Sequence, residues 1–507
     1  LIFDSLDDPF RTKWGSGSIE LLEYRRNGLN VFNIEGHTKQ KVRDALFWTS
    51  CVHAFTTALI TALGTLPGMA SSSHAFQSPR GMRDFPPPEM AQRRWIESIW
   101  RKASVDHGFD EIEGPTFEHV DLYTVKSGPG IVSELFSFER AGGDTTYALR
   151  PEFTPTLARM AAAKGKALSH PTRWFSIPCL FRAERPQRGR LREHVQWNVD
   201  VIGGSTPSVD ADVIAVAVEG LRRMGVTPEH MQVRLSHRCI VLGVLAEAGV
   251  EGEAVAGVFD LLDKRDKMSA EIFAQKAAEL GLPEAARDAI DRLASLHFAA
   301  SDVDDLSKMM GTSPENVAPL AEMLLAIDAI GLTPWCTVDP GIVRGLAYYT
   351  GAVWEIHETK GKERAVAGGG RYDGLIELFG GPPTPACGFG MGDVVLGLVL
   401  EDLGLIEDPE ALMPRPDVFV ISTGDGETDA HVSPLVHALR AAGWHTRCTA
   451  KSTRNVGKLL KEAGRVRARY AVILDEELQR GVVIVKDLDS GDQQEVELGE
   501  LEAYLAR

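Results

Sequence analysis

Residues 180–204 read LFRAERPQRGRLREHVQWNVDVIGG and carry five arginines within eleven positions: Arg182, Arg185, Arg188, Arg190 and Arg192. A guanidinium keeps its charge at every working pH and offers paired, planar donors, so this density suits phosphate oxygens. Phe175, Ile177, Leu180 and Phe181 make an apolar approach to the arginines. Beyond them Val195, Trp197, Val199 and Val201 alternate with Gln196, Asn198 and Asp200. Alternation with a period of two predicts a half-buried strand. Pro186 and Gly189 stand where a turn between two strands would fall. The expectation is a long antiparallel hairpin with a loop full of guanidinium groups. Gln196 and Asp200 share one face, which sets an amide and a carboxylate beside the arginines. A solvated basic loop is the plainer alternative, and the flanking strands argue against it.

Other stretches offer chemistry of a related kind. In LRPEFTPTLAR, residues 149–159, Pro151 and Pro155 bar a continuous strand. A strand end, a short loop and a helix start are expected there. Glu152 and Thr154 then present a carboxylate and a hydroxyl suited to an ammonium group. RGLAYY holds Arg344, Tyr348 and Tyr349, and GGGRYDG follows with glycines at 368–370. Glycines in a strand let another group approach the backbone. No Ser/His/Asp arrangement is visible. The six cysteines (51, 179, 239, 336, 387, 448) form no CxxC pair and no cluster with histidine. That excludes a zinc signature and a disulfide framework, and it fits a reducing cytoplasm.

The elements that position these residues follow from patterning. A chain of 507 residues is too long for one core, and about three domains are expected. Trp95, Ile96, Ile99, Trp100 and Ala103 recur at helical spacing between about Pro88 and His107, with Gly108 at the end. Residues 208–224 read as an amphipathic helix. Residues 226–336, rich in Ala, Leu, Glu and Asp, predict helices near 254–265, 269–280, 284–297 and 314–330. Residues 403–416 read as a linker. After Asp417, alternating strands and helices predict a small α/β domain with a mainly parallel sheet. The net charge is −17, so an RNA partner needs a local basic patch. One exists: residues 447, 451, 454, 458, 461, 465, 467 and 469 are basic against the single acid Glu462. Upstream, residues 47–66 are uncharged, which reads as a membrane span or signal core diluted by five threonines. The expectation is that residues 1–68 precede a native start at Met69.

FRAERPQRGRLREHVQ resembles the second signature motif of class II aminoacyl-tRNA synthetases, in the form carried by the histidyl-tRNA synthetase family. RGLAYY and GGGRYDG together resemble a pair of peptides peculiar to that family. GFDEIEGPTFEHVDLY resembles the first class II motif, which builds a dimer interface. The resemblance covers about residues 78–507 and is to bacterial-type members. It implies an α+β fold: an antiparallel sheet flanked by helices, a helical insertion and a C-terminal α/β anticodon-binding domain. The boundaries expected are an extension over 1–77, the catalytic core over 78–225 and 337–402, the insertion over 226–336, the linker over 403–416 and the anticodon-binding domain over 417–507.

The function implied is ATP-dependent attachment of L-histidine to tRNA(His) through a histidyl-adenylate, in a cytoplasmic homodimer with no membrane part. Arg182 and Arg344 fall to the α-phosphate, with Glu184 and Arg190 at the nucleotide. Glu152, Thr154, Gln196, Asp200, Arg344, Tyr348 and Tyr349 fall to histidine. Mg²⁺ is expected on the phosphates of ATP. Three positions depart from the family pattern: Phe153 for Gly, Ala347 for Asp, and Val395 for the third-motif Arg that holds ATP. Val395 favours a second reading, a silent paralogue that regulates ATP phosphoribosyltransferase. The C-terminal domain and the intact histidine peptides oppose it. A protein using the fold only to bind tRNA is a third reading.

Overall fold

The structure is a computed structural model. It describes residues 11–13, 20–26, 29–33 and 76–506, save 128, 265–267, 344–347, 362, 407, 424–425 and 450–454. The chain divides into two units, Leu1–Gln77 and Ser78–Arg507. In the first, β1 (Arg11–Lys13), β2 (Glu20–Arg26) and β3 (Leu29–Asn33) pair antiparallel in that order. The uncharged stretch 47–66 and Met69 lie outside the described residues. Among the described residues no helix is long and apolar enough to cross a membrane.

The second unit opens with the helix Pro87–Asp106, which has proline in its first turn, and Gly108 follows with φ of +76°. Proline costs nothing where the helix has no N–H partner to lose, and glycine alone adopts that φ freely. Next come β4 (Asp110–Glu111) and a small antiparallel sheet of β5 (Phe117–His119), β6 (Ser137–Glu139) and β7 (Thr146–Leu149), with β7 in the centre. After the helix Thr154–Lys164 come β8 (Thr172–Ser176), β9 (Cys179–Phe181) and β10 (Glu193–Ile202). The later strands are β11 (Met231–His237), β12 (Phe298–Ala299), β13 (Cys336–Val338), β14 (Ala352–Glu358), β15 (Ala367–Arg371) and β16 (Ala386–Gly392).

These strands form one ten-stranded sheet in the order β12-β13-β11-β14-β15-β16-β10-β8-β4, with β9 pairing the outer half of β10. The pairs β11–β13 and β4–β8 are parallel and the others antiparallel. On one face Val195, Trp197, Val199 and Val201 are buried with Trp100 and Ile96 of the first helix and with the helix Pro207–Arg223. Trp100 and Trp197 stack with centroids 5.8 Å apart, and Trp197 Nε1 donates to Ser104 Oγ at 2.9 Å. Each fully buried apolar side chain in this layer contributes about 1.5–3 kcal/mol. The expected alternation is present, yet Asn198 and Asp200 on the opposite face are buried as well. A second cluster of Phe153, Leu157, Trp174, Tyr349 and Tyr372 covers that face in part.

The helices Arg238–Glu247, Glu253–Asp263, Ala270–Glu279, Glu284–Ser295 and Pro314–Ala329 gather round their own core. This differs from a segment that is helical throughout 226–336. β11 inside it is an interior strand of the large sheet, with Met231, Val233 and Leu235 buried. Seven residues of alternation in MQVRLSH are outweighed by the helical composition of the hundred that follow.

In the C-terminal part, β17 (Val418–Ser422), β18 (Thr446–Cys448), β19 (Tyr470–Leu474), β20 (Val482–Asp487) and β21 (Gln493–Glu497) take the order β18-β17-β19-β20-β21. The pairs β18–β17 and β17–β19 are parallel, while β19–β20 and β20–β21 are antiparallel. The sheet is therefore mixed rather than mainly parallel, because a single 3₁₀ turn (Glu476–Arg480) and a short turn, not crossover α-helices, connect its last three strands. Val418 and Val420 face the helix Gly426–Ala441, while Phe419 and Ile421 face the helix Val456–Arg465.

Candidate active site

The arginine hairpin forms as its pattern predicts. Glu193 of β10 lies opposite Phe181 of β9. At the tip Gln187 and Arg190 exchange backbone hydrogen bonds of 3.0 and 2.9 Å, which leaves Arg188 and Gly189 to turn. Gly189 has φ of +72°, and a Cβ there would lie 3.3 Å from Val395 Cγ2, so conformation and space both call for glycine. The guanidinium of Arg190 pairs with the carboxylate of Glu184. Arg192 Nε donates to the Glu184 carbonyl at 3.1 Å, and Arg188 Nε donates to Glu363 Oε1 at 2.6 Å.

Arg182 joins this hairpin to the loop that carries Glu152. Its Nε donates to the Pro151 carbonyl at 3.2 Å. Burial lowers the affinity of this guanidinium for its proton, and the neighbouring Glu152 carboxylate opposes that. Glu152 follows Pro151 in the loop, and Thr154 opens the helix Thr154–Lys164. Phe153, between them, is 1% exposed and belongs to the cluster of Leu157, Tyr349 and Tyr372. The ring thus fills the protein beneath the tyrosines.

The sheet face beside the hairpin has a glycine floor. Gln196, Asn198 and Asp200 of β10 lie opposite Gly392, Gly390 and Gly388 of β16. Gly390 and Gly388 in turn lie opposite Gly368 and Gly370 of β15. A Cβ at Gly390 would come within 2.8 Å of Gln196 Cδ, and one at Gly388 would collide with the Asp200 carboxylate. A Cβ at Gly370 would meet the Tyr349 ring at 2.8 Å. The glycines let the protein's own polar and aromatic side chains lie across the sheet.

Asp200, 4% exposed, accepts a hydrogen bond from the Tyr372 hydroxyl. Burial pushes its carboxyl up to about 7, a shift that the Tyr372 bond only moderates. Tyr348 stands with its centroid 4.8 Å from that of Tyr349 and 5.9 Å from Tyr372, perpendicular to the latter. Arg371 fixes this corner: its Nη2 donates to Asp210 Oδ2 at 2.8 Å and its Nη1 to the Gly204 carbonyl at 2.9 Å. Of the predicted residues, the structure brings together Arg182 with the Glu152 loop, Glu184 with Arg190, and Asp200 with the tyrosine corner, while Gln196 lies over the glycine floor on the same face of β10. Arg344 and Ala347 lie outside the described residues.

Two residues escaped the sequence reading. Tyr372 sits inside GGGRYDG, but its hydrogen bond to Asp200 spans 172 positions. His194 follows the hairpin loop on the same face of β10 as Gln196. Burial, with help from Arg182, Arg83 and Arg190, lowers its imidazole to about 3. It is thus a neutral aromatic ring among guanidinium groups, and the alternation of β10 was the signal that could have found it. Arg83 Nη2 donates to Asp393 Oδ2 at 2.6 Å, and Asp393 Oδ1 accepts from the Val195 amide at 2.9 Å. Val395 lies in the first turn of the helix Asp393–Asp402, 8% exposed, beneath Gly189. Among the described residues no group of three or more His, Cys, Asp or Glu comes together as a metal site.

Carboxylates and aromatic rings on one side and guanidinium groups on the other suit a small ammonium- and imidazole-bearing substrate next to a phosphate chain. Comparisons with known proteins agree. The family profile described as "Histidyl-tRNA synthetase" matches residues 81–392, and that described as "Anticodon binding domain" matches 417–507. The histidine–tRNA ligase of Halobacterium salinarum is 40% identical over 420 residues, covering 82% of this chain and 94% of that protein. The chloroplastic/mitochondrial histidine–tRNA ligase of Arabidopsis thaliana is 36% identical over 425 residues, covering 84% and 85%. The crystal structure of histidyl-tRNA synthetase from Nostoc sp. PCC 7120 superposes with a TM-score of 0.70 at 23% identity, covering 86% of this chain and all of that one; that likeness bears on the fold. By profile and by sequence relatives alike, the chain belongs to the histidyl-tRNA synthetase family.

Proposed function

We propose that the chain attaches L-histidine to tRNA(His) at the expense of ATP, through a histidyl-adenylate. The observation that carries this reading is the glycine-floored sheet face on which Gln196 lies and Asp200 meets the tyrosine corner, beside the arginine hairpin. Histidine binds with its ammonium at Glu152 and Thr154. Its imidazole lies between Asp200, Gln196 and the rings of Tyr348 and Tyr349. A histidine carboxylate oxygen attacks the α-phosphorus of ATP, the bond to the β-phosphate side breaks, and pyrophosphate leaves with the electron pair. Arg182 and Arg344 stabilise the charge that gathers on the α-phosphate. Glu184 and Arg190, already paired, hold the nucleotide. A hydroxyl of the tRNA's terminal adenosine then attacks the acyl carbon and AMP departs. Neither step asks for a protein nucleophile, so positioning and charge do the work.

Mg²⁺ comes with ATP as the counter-ion of its phosphates. The enzyme works as a homodimer in the cytoplasm. An exposed aromatic patch on β5–β7–β6 supports the first, and the cysteines among the described residues, all free thiols, accord with the second. The test is ATP–pyrophosphate exchange with the full chain. Exchange that requires histidine and no other amino acid is expected. Binding of histidine without exchange would overturn the enzymatic reading in favour of a regulatory paralogue.

A further inference from the structure

We propose that Arg364 grips the triphosphate tail of ATP, standing in for the arginine that Val395 replaces on the helix Asp393–Asp402. The inference rests on the proposed ATP site and goes beyond it by naming a residue outside the signature motifs. Arg364 lies in the loop between β14 and β15. It is exposed, and no ion pair ties its guanidinium to another described residue. The neighbouring cations are engaged: Arg188 with Glu363, Arg190 with Glu184, Arg83 with Asp393. Arg364 is thus a cation left without a carboxylate partner among the described residues at the hairpin tip.

Its place is fixed from two sides. Glu363, one residue earlier, has a buried side chain that holds Arg188 of the hairpin turn at 2.6 Å. That clamp draws the 363–364 segment against the hairpin tip. A single point, the Cβ position of Gly189, lies 3.3 Å from Val395 Cγ2 and 3.9 Å from Arg364 Cδ. The guanidinium begins one bond beyond Cδ. Arg364 therefore delivers its charge to the space that a long side chain on the first turn of the helix would enter. Arg182 lies at the base of the same hairpin, where the α-phosphate is proposed to sit, and Arg190 lies at its tip. A triphosphate held at that base by its α-phosphate carries its terminal charge towards the tip. When the α-phosphorus is attacked, the electron pair of the breaking bond goes to pyrophosphate, and a guanidinium on that group stabilises the transition state more than the ground state.

The experiment measures exchange kinetics and AMP inhibition for the full chain, R364A, R364K, R364A/V395R and R182A. R364A should raise the KM for ATP about 10- to 100-fold, the range of one lost charge-assisted contact. It should leave the KM for histidine and the inhibition by AMP unchanged, because neither ligand has the tail. R364K should keep most of the affinity, and R364A/V395R should regain it. An unchanged KM for ATP in R364A overturns the proposal, as does an equal loss for ATP, AMP and histidine, which marks a structural role. A selective loss that V395R does not restore overturns the replacement of the helix arginine. If R182A exchanges like the unaltered chain, or the chain shows no exchange at all, the underlying site or function has failed and this proposal with it. A silent R364A beside an inactive R182A fails this proposal alone.

Discussion

At the scale of single residues, the site turns on Asp200. Burial strips the carboxylate of water, and one phenol replaces only part of that solvation, so the group titrates near 7 instead of near 4. Between those limits the folded chain holds a proton that the unfolded chain has released. The carboxyl's contribution to stability is therefore present at acid pH and is lost as pH rises through about 7. Binding has the opposite sign, since only the ionised group accepts the imidazole N–H with full strength. The KM for histidine should fall as pH rises through about 7, and D200N should flatten that limb. At pH 8 D200N should also cost roughly 10- to 100-fold in KM for histidine, as read by initial-rate exchange. A limb that survives in D200N would assign the titration to the substrate's own imidazole. Phe153 belongs to this scale too. A ring where the family pattern has glycine is accommodated by turning it inward, where it packs with the tyrosines' support.

At the scale of elements, the helix Val456–Arg465 shows how a charge run is used. Leu459 and Ala463 are buried under Phe419 and Ile421, and Asn455 caps the helix by accepting from the Lys458 amide at 3.0 Å. This packing leaves Lys458, Lys461 and Arg465 exposed on the outer side. Arg447, Arg467 and Arg469 are exposed nearby in sequence, while Lys451 and Arg454 lie outside the described residues. We propose that this side meets the tRNA. K458E/K461E should lower kcat/KM for tRNA charging by about tenfold and shallow its salt dependence. ATP–pyrophosphate exchange, which uses no tRNA, should not change. Loss of both activities together would show that the helix only supports the fold.

At the scale of the whole molecule, the small sheet β5–β7–β6 stands out. Phe117 is 47% exposed and Phe138 42%, and they meet at 5.4 Å with Tyr147 at 5.5 and 5.9 Å from them. Exposed aromatics in one patch mark an association surface. A second copy of the chain is the occupant we propose, because His119 and Phe117 belong to the stretch that resembles the first class II motif. Sedimentation should give a dimer for the unaltered chain and a monomer for F117D/F138D. A dimer that withstands both substitutions would move the interface elsewhere.

Local features were legible because local rules govern them. Period-two alternation marked β10 and the turn of its hairpin, helical spacing marked Pro87–Asp106, and the two prolines marked the break before Thr154–Lys164. The motifs named the chemistry, so the sequence by itself determined the family and the fold class, and it nominated the residues we propose for histidine and ATP. It did not determine their partners. The Tyr372–Asp200 bond, the seat of β11 inside the large sheet, and the meeting of Val395, Gly189 and Arg364 join residues far apart in the chain. Burial, and with it the titration of Asp200 and the neutrality of His194, depends on what folds over a group and not on its neighbours in sequence. Only the tertiary structure decides that, because desolvation is a property of the packed site.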